Sequence, residues 1–371
     1  MLPRLIFASL VMSVPAYAAA PKQVTVLAWP GYLERGESDK AYDWVTPFEK
    51  ASGCKMVVET AATSDEMFER MKKPGIDLVT ASGDASVRLI RAALVQAVDI
   101  KKVTAWSSLD PRFESGDWHT AAGVHYGVPY QWGPNVLMYD TRVFKKPPTS
   151  WSVLFEPTTL PDGKPNAGRV QAYDGPIAIA DAALYLMKKN PKLGITSPYE
   201  LNAEQYRAVL ALVGGQRKLV QGYWHDTTRQ VADFKAGHFV ASSGWGYQVN
   251  ALKAEKQPIE STIPAEGATG WADTTMLAAT ATNVECAYAW LNWSLRPEVQ
   301  AGVAEWFGSL PVTKEGCKAQ APNKGEFCKT NGWALFDQIY FWRTPDLRCA
   351  SQKECAPYAS WARDYQQLTK K

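Results

Sequence analysis

The sequence predicts an α/β fold organised in two lobes, on three observations. Strand-like and helical patterns alternate as βαβαβ between residues 24 and 94, an order that favours a mostly parallel sheet flanked by helices. The alternation resumes between residues 169 and 307. The chain has 371 residues, which is more than one hydrophobic core usually organises.

The first half of the chain supplies the βαβαβ order. Its strands are short runs rich in β-branched residues, and its helices show apolar spacing. The second helix begins with the capping pair Ser64 and Glu66, and Pro47 interrupts the first locally. We predict strands at 24–29, 55–60 and 76–81 and helices at 38–51 and 64–73, and a turn at Ser82 leads into a third helix.

The second half continues the alternation after a strand-like segment that crosses between the two regions. Turn residues separate its elements. We predict the crossing strand at 126–140, a short helix within 147–157, a strand at 169–175, helices at 176–189 and 202–218, a helix, strand and helix within 231–255, a returning strand from 270, and two helices within 283–307 separated at Pro297.

The N-terminus predicts export. Arg4 precedes a short apolar run that ends in small residues, and residues 1–20 have the form of a secretory signal peptide. No cysteine follows the cleavage region, so we expect no lipid anchor, and no later apolar stretch has the length of a membrane span. We therefore expect a soluble protein of the bacterial periplasm.

Charge and cysteine usage exclude several kinds of function. The formal net charge is +3 without basic runs, which argues against a nucleic-acid partner. Six cysteines in an exported chain indicate disulfides, but they allow 15 pairings that the sequence does not resolve. The four histidines lack metal-ligand spacing. We expect no metal and no cofactor.

Candidate ligand-binding residues follow the predicted strands. Ligands of such sheets bind at the carboxyl ends of strands, where Trp29 and Tyr32 follow the first strand and Ser82 and Asp84 follow the third. Asp84 could equally cap the next helix. Asp273 lies close to Trp271 in an otherwise uncharged stretch, and a carboxylate beside an aromatic ring can hold a cation.

The ordered set of motifs resembles a known family over nearly the whole mature chain. These motifs are Trp29 with Tyr32, DLVTASGD at 77–84, Leu109-Asp110-Pro111, VPYQWG at 128–133, TSWSVLFEP at 149–157, Trp271-Ala272-Asp273 and the Leu295–Val299 junction. In this order they resemble the periplasmic solute-binding proteins of ABC importers, specifically the spermidine/putrescine-binding group.

The resemblance implies a type II periplasmic-binding-protein fold, in which two α/β lobes joined by crossover strands close on a ligand. It implies one lobe at 21–133 plus 272–316, and another at 134–271 plus 317–371. It also implies a monomer that binds a small amine-containing solute, such as a polyamine, and serves an inner-membrane permease. The implied aromatic box is Trp29, Tyr32, Trp245 and Trp271, the turn serine is Ser82, and the amine-binding carboxylates are Asp174 and Asp273.

Three departures from the family pattern bear on the ligand. Ile177 replaces a second acid, Asp84 replaces an aromatic residue, and Trp342-Arg343 replaces a Trp-Gln pair. An arginine in the cleft would repel a polyamine and pair with an acid. We therefore expect an amine at one end of the ligand and an acid at the other, as in γ-aminobutyrate or aminoalkylphosphonates, or putrescine if Arg343 points away.

Two other functions stay open at this point. An exported, tryptophan-rich chain could be a carbohydrate-active hydrolase, with Asp174 and Asp273 as its paired carboxylates. It could also be a sugar-binding protein of the same architecture. Asp174 could instead only cap the helix that follows it. Because no nucleophile motif or metal spacing is present, we expect no catalytic residues and no enzyme activity.

Overall fold

The computed structural model describes residues 22–37, 39–319, 326–349 and 354–369, so the predicted signal peptide lies outside the described residues. Its strands are β1 Gln23–Ala28, β2 Lys55–Thr60, β3 Leu78–Ala81, β4 Thr120–Ala121, β5 Val124–His125, β6 Gly127–Pro134, β7 Val136–Asp140, β8 Val170–Tyr173, β9 Val220–Trp224, β10 Ala241–Gly244, β11 Ile259–Thr262, β12 Ala268–Leu277, β13 Leu310–Pro311 and β14 Ile339–Phe341.

The helices alternate with these strands as the sequence predicts. They are α1 Val45–Ser52, α2 Ser64–Met71, α3 Gly83–Arg91, α4 Ser152–Phe155, α5 Ile179–Lys189, α6 Ala203–Leu219, α7 Thr227–Lys235, α8 Gly246–Ala254, α9 Val284–Trp293, α10 Pro297–Phe307, α11 Lys314–Ala319, α12 Glu326–Thr330 and α13 Tyr358–Thr369. Within the described ranges, no helix has the length and apolar character that a membrane crossing requires.

Two sheets organise the molecule, and both are mixed. The first has the order β13-β6-β12-β3-β1-β2, with β14 beside the start of β12, and the second has the order β11-β7-β10-β8-β9. The βαβ units give the predicted parallel pairs, β1 with β2 and β3, and β8 with β9 and β10. The strands that carry the chain between the sheets, β6, β7, β11 and β12, pair antiparallel with one another or with these units.

The crossing between the sheets is short and firmly hydrogen-bonded. Only Asn135 separates β6 of the first sheet from β7 of the second. Its backbone N–H donates to the Thr269 carbonyl at 2.8 Å, and its side-chain amide donates to the Thr269 hydroxyl at 2.6 Å. Thr269 lies near the start of β12, which is the second connection between the sheets. The two connections are thus joined side by side.

The predicted start of the first helix and the predicted cap of the second helix are wrong, for local reasons. The first helix begins at Val45 and not at residue 38, because Pro47 fits the first helical turn, where no backbone donor is needed. The second helix is capped by Thr63, whose side chain accepts from the Glu66 N–H at 3.1 Å. Ser64 instead donates its hydroxyl to Asp84 at 2.9 Å.

The six cysteines form three disulfides that the sequence did not resolve. Cys54–Cys286 joins the start of β2 to α9 across a sequence separation of 232. Cys317–Cys328 and Cys349–Cys355 close local loops near the C-terminus. The first bond excludes the most extended conformations of the unfolded chain, because it closes by far the longest loop.

The lobe boundaries at 133/134, 271/272 and 316/317 stay a prediction. The strands of the first sheet include β14, although residues 317–371 were assigned to the second lobe. The predicted crossing segment is divided between β6 and β7, and therefore between the sheets.

Candidate ligand-binding site

A small cavity lies where strands of both sheets end. Its volume is about 30 Å³, which is room for one or two water molecules. It is lined by Trp29, Tyr32, Ser82, Tyr173, Trp245, Trp271, Asp273, Phe307 and Trp342. Because these residues come from both sheets, the cavity joins the two halves of the molecule.

Among the described residues, Asp273 is the one carboxylate that lines this cavity. Its side chain lies on β12, next to an irregularity in the register with β6, and the residue is 2% exposed. The Tyr32 hydroxyl donates to Oδ2 at 2.7 Å, and the Ser82 hydroxyl donates to Oδ1 at 2.5 Å. Both oxygens keep acceptor capacity, since an ionised carboxylate can accept about four hydrogen bonds.

Burial raises the pKa of Asp273 to about 7, because removing the carboxylate from water penalises its charged form. The two hydroxyl donors oppose this shift, and the nearby charge of Asp84 adds to it. The site therefore holds a carboxylate that lacks a cation among the described residues that line the cavity.

The local fold explains how the two donors reach Asp273. Tyr32 closes a turn in which its N–H donates to the Trp29 carbonyl at 3.1 Å, directly after β1. Ser82 follows β3 in extended conformation at the start of α3, and its hydroxyl makes no capping bond to that helix. Because β1 and β3 are parallel neighbours, their carboxyl ends bring both hydroxyls to one edge of the sheet.

Aromatic rings form the rest of the cavity wall. Tyr173 stacks on Trp342 with ring centroids 6.0 Å apart and contacts Trp245 at 5.6 Å. Phe307 meets the edge of Trp271 at 6.2 Å. Ring faces attract cations and pack against methylene groups. The cavity thus combines one charged acceptor with surfaces suited to an alkylammonium.

Trp245 connects the cavity wall to the crossing between the sheets. Its indole N–H donates to the side-chain oxygen of Asn135 at 3.0 Å. The Thr269 hydroxyl, which accepts from Asn135, donates in turn to Asp181. Burial raises the pKa of Asp181 to about 6.

A larger outer cavity of about 380 Å³ adjoins the first, with which it shares Trp29, Trp245 and Phe307. Glu34 and Asp226 line it from opposite sides, together with Tyr247 and Trp306. It gives the aromatic cavity a route towards solvent.

Six of the nine predicted site residues come together, namely Trp29, Tyr32, Ser82, Trp245, Trp271 and Asp273. Three do not. Asp84 lies buried in α3, where its carboxylate accepts from the Ser64 hydroxyl of α2 and burial raises its pKa to about 6. The Asp174 side chain is 42% exposed, accepts from the Tyr365 hydroxyl at 3.2 Å and does not line the cavity.

Arg343 also lies outside the cavity. Its guanidinium pairs with Asp117 at 2.9 Å and with Glu200 at 2.6 Å. The structure therefore gives no support to the predicted contact between Arg343 and an acidic end of the ligand. Ile177, which replaces the family's second acid, is buried in the core.

Sequence reasoning missed Tyr173, Phe307 and Trp342. Tyr173 and Trp342 directly precede Asp174 and Arg343, which the sequence analysis had predicted to bind the ligand. Side chains of neighbouring residues in extended backbone point to opposite faces, so only one member of each pair can face the cavity. The aromatic member does so in both cases.

Comparisons with known proteins agree on the kind of molecule. The family model described as bacterial extracellular solute-binding protein matches residues 43–323. The chain is 26% identical over 312 residues to a putrescine-binding periplasmic protein of Escherichia coli, covering 80% of each chain. It is 25% identical over 304 residues to a putrescine-binding periplasmic protein of Pseudomonas aeruginosa, covering 78% of each.

A solved structure of similar fold is a spermidine/putrescine ABC transporter protein of Listeria monocytogenes. The TM-score is 0.74 at 18% sequence identity, and the match covers 94% of this chain and 98% of the other. This likeness confirms the type II periplasmic-binding-protein fold. The family match favours a solute-binding protein over the carbohydrate-active hydrolase.

We expect the stability of the ligand-free protein to fall between about pH 4 and about pH 7, partly through Asp273. An acid whose pKa is raised on folding contributes stability below its unfolded pKa, and that contribution is lost as the pH rises through the folded value. Between about pH 5 and about pH 8, the free energy of unfolding of Asp273→Asn should fall by at least about 1 kcal/mol less than that of the wild-type protein. The reason is that a shift of one pKa unit is worth about 1.4 kcal/mol.

Urea denaturation of both proteins at the two pH values measures this difference. Asp84 and Asp181 also have raised pKa values. Both proteins keep these two residues, so the difference in pH-dependent stability between the proteins reports on Asp273. An equal loss of stability in wild type and variant would contradict the burial of an ionisable Asp273.

Proposed function

The chain belongs to the bacterial extracellular solute-binding protein family, and on that premise we propose that it is the substrate-binding component of an ABC importer for an amine-bearing solute. The observation that carries the proposal is Asp273, a buried carboxylate in an aromatic cavity whose described lining residues include no cation. The putrescine-binding relatives support the same chemistry.

The cavity chemistry fits a protonated amine. An ammonium group beside Asp273 would supply the charge that the buried carboxylate lacks, while Tyr32 and Ser82 keep their hydrogen bonds. The rings of Trp29, Trp271 and Phe307 would contact the first methylene groups. A neutral sugar would leave the buried charge uncompensated.

Capture requires the two halves to separate, because the inner cavity of about 30 Å³ is too small to admit a solute as it stands. We propose that the lobes 21–133 plus 272–316 and 134–271 plus 317–371 open about the Asn135 crossing and close over the ligand. Arg343 supports a closed state, since it joins Asp117 to Glu200.

The proposed role also predicts where the protein is located and which partner it serves. Residues 1–20 would direct export and be removed, which leaves a soluble periplasmic monomer without a lipid anchor. An inner-membrane permease would receive the closed, loaded protein. The protein would bind its solute without turnover.

A thermal-shift panel on the mature protein tests the proposal. The probes are putrescine, spermidine, γ-aminobutyrate, 2-aminoethylphosphonate, choline, glucose and maltose. A ligand at 100 times its Kd adds about 2.7 kcal/mol, which raises Tm by several degrees. We expect a shift with at least one amine, and its loss in Asp273→Asn, since truncating one partner of a buried charge pair weakens binding by about 2–5 kcal/mol.

Asp174→Asn is the matched control, because it removes a half-exposed carboxylate outside the cavity. It should leave the amine shift unchanged. Shifts with sugars alone, or an amine shift that survives in Asp273→Asn and is lost in Asp174→Asn, would contradict the proposed site.

Closure can be tested at a backbone contact beside the cavity. Gly246 at the start of α8 touches Gly308 at the end of α10, and a Cβ added at Gly246 would lie 2.3 Å from the Gly308 carbonyl oxygen. We expect Gly246→Ala to weaken amine binding at least about tenfold, because binding is coupled to closure and the closed state becomes strained. Isothermal titration calorimetry measures the change.

Gly215→Ala in α6 is the control, since a Cβ there meets nothing within 4 Å. Equal affinity of Gly246→Ala and wild type would show that binding does not need this contact.

A further inference from the structure

The ring of Trp245 lies where the inner and outer cavities meet. Among the described residues, three border both cavities, namely Trp29, Trp245 and Phe307. Trp29 follows β1 of the first sheet, and Phe307 ends α10, which packs against β6 of the same sheet. Trp245 instead follows β10 of the second sheet. A solute that extends from Asp273 towards solvent would therefore pass this ring, and the orientation of the ring bears on binding.

Ring packing around Trp245 leaves its orientation to be set by a directional contact. The centroid of its ring lies 5.6 Å from that of Tyr173, 5.0 Å from that of Trp224 and 6.5 Å from that of Trp342. The torsion that turns a tryptophan ring about its Cβ–Cγ bond has broad, roughly two-fold minima. Packing alone therefore distinguishes poorly between an indole and the same indole turned over.

Asn135 supplies the directional contact from the crossing between the sheets. The indole N–H of Trp245 donates to Asn135 Oδ1 at 3.0 Å, and Asn135 is 6% exposed. Because an indole N–H is a donor only, turning the ring over would break this bond and leave the buried amide oxygen without its donor. The bond therefore selects the observed orientation of the ring.

The amide of Asn135 is oriented in turn by its other partner. Its nitrogen donates to the Thr269 hydroxyl at 2.6 Å, and that hydroxyl donates to Asp181. Since the single hydrogen of the hydroxyl goes to Asp181, the hydroxyl accepts from the amide nitrogen, and the amide oxygen is left towards Trp245. The backbone of Trp245 is held separately, because its N–H donates to Gln248 Oε1 at 3.1 Å. The chain of bonds from Asp181 thus fixes the indole ring.

We infer that Asn135 is a positioning residue for solute binding, which acts on affinity through the indole N–H of Trp245. This inference rests on the proposed docking of an amine in the inner cavity. Asn135 is not among the described residues that line either cavity, so its effect on affinity has to pass through another residue. Without the amide, the ring samples more than one orientation in the ligand-free protein, and binding must select the competent one.

Calorimetric titration of Asn135→Leu tests the inference. The probe is the amine of the thermal-shift panel that gives the largest shift, whether putrescine, spermidine, γ-aminobutyrate, 2-aminoethylphosphonate or choline. We expect an affinity roughly threefold to tenfold lower than that of the wild-type protein, because apparent affinity falls with the fraction of molecules whose ring is competent. Asn135→Ser, whose hydroxyl is too short to reach the indole, gives the same test if the leucine variant does not fold.

A double-mutant cycle with Trp245→Phe separates positioning of the ring from an effect on the crossing. A phenylalanine ring has no N–H, so in that background Asn135→Leu should change the affinity by less than about twofold. The indole N–H resonance of Trp245, identified by its absence in Trp245→Phe, should move upfield in the proton–nitrogen NMR spectrum of Asn135→Leu, because the group loses its acceptor.

Asn166→Leu is the matched control. Asn166 is 1% exposed, its amide donates to the Val153 and Glu156 carbonyls at 2.8 Å, and it is not among the described lining residues of either cavity. Its replacement also removes a buried amide, and it should leave both the affinity and the Trp245 resonance unchanged.

The outcomes separate this inference from the proposed function. An affinity of Asn135→Leu equal to that of the wild-type protein overturns the inference. An equal loss of affinity in the wild-type and Trp245→Phe backgrounds also overturns it, because Asn135 would then act on the crossing and not through the ring. Amine binding itself survives both results. If no amine of the panel binds to the wild-type protein, the proposed function fails, and this inference fails with it.

Discussion

The burial of the Asp273 carboxylate is the constraint on which the arrangement of the inner cavity depends. Burying a charge without a counter-ion is costly, and this cost is visible in a pKa raised to about 7. The fold reduces the cost with two hydroxyl donors that arrive from separate strand ends, Tyr32 after β1 and Ser82 after β3. It supplies no cation from the described lining residues. An ammonium ligand would complete the site, and its binding would therefore favour the closed state.

The same constraint links the cavity to the crossing between the sheets. Trp245 touches the cavity with its ring and holds Asn135 with its N–H. Asn135 in turn binds Thr269 of the second connection. A ligand that packs on Trp245 therefore contacts a side chain anchored at the point about which the lobes would turn. Arg343 joins Asp117 to Glu200 at the periphery, and under the proposed closure this would be an ionic contact of the closed state.

Much of the fold and of the candidate site could be predicted from the sequence, and there are physical reasons why the rest could not. The βαβ order and the rule that ligands bind at strand ends were enough to select Tyr32 and Ser82. Asp273 was selected because a carboxylate close to a tryptophan ring can hold a cation. The contact between Asp84 and Ser64 could not be predicted, because only the tertiary fold brings their two helices together. The position of Arg343 outside the cavity could not be predicted either, because the direction of a side chain in an extended segment depends on its register, which the sequence does not reveal.

The most direct test of Asp273 as the amine anchor is the number of protons released on binding. Calorimetric titration at about pH 6, in two buffers of different ionisation enthalpy, measures this number for the amine of the thermal-shift panel that gives the largest shift. In the closed, ligand-free conformation, burial raises the pKa of Asp273 to about 7, so its carboxyl is mostly protonated at that pH and would ionise when an ammonium docks. Binding from this conformation should release close to one proton per amine, and almost none in Asp273→Asn. Unchanged affinity and unchanged proton release in Asp273→Asn would contradict the account.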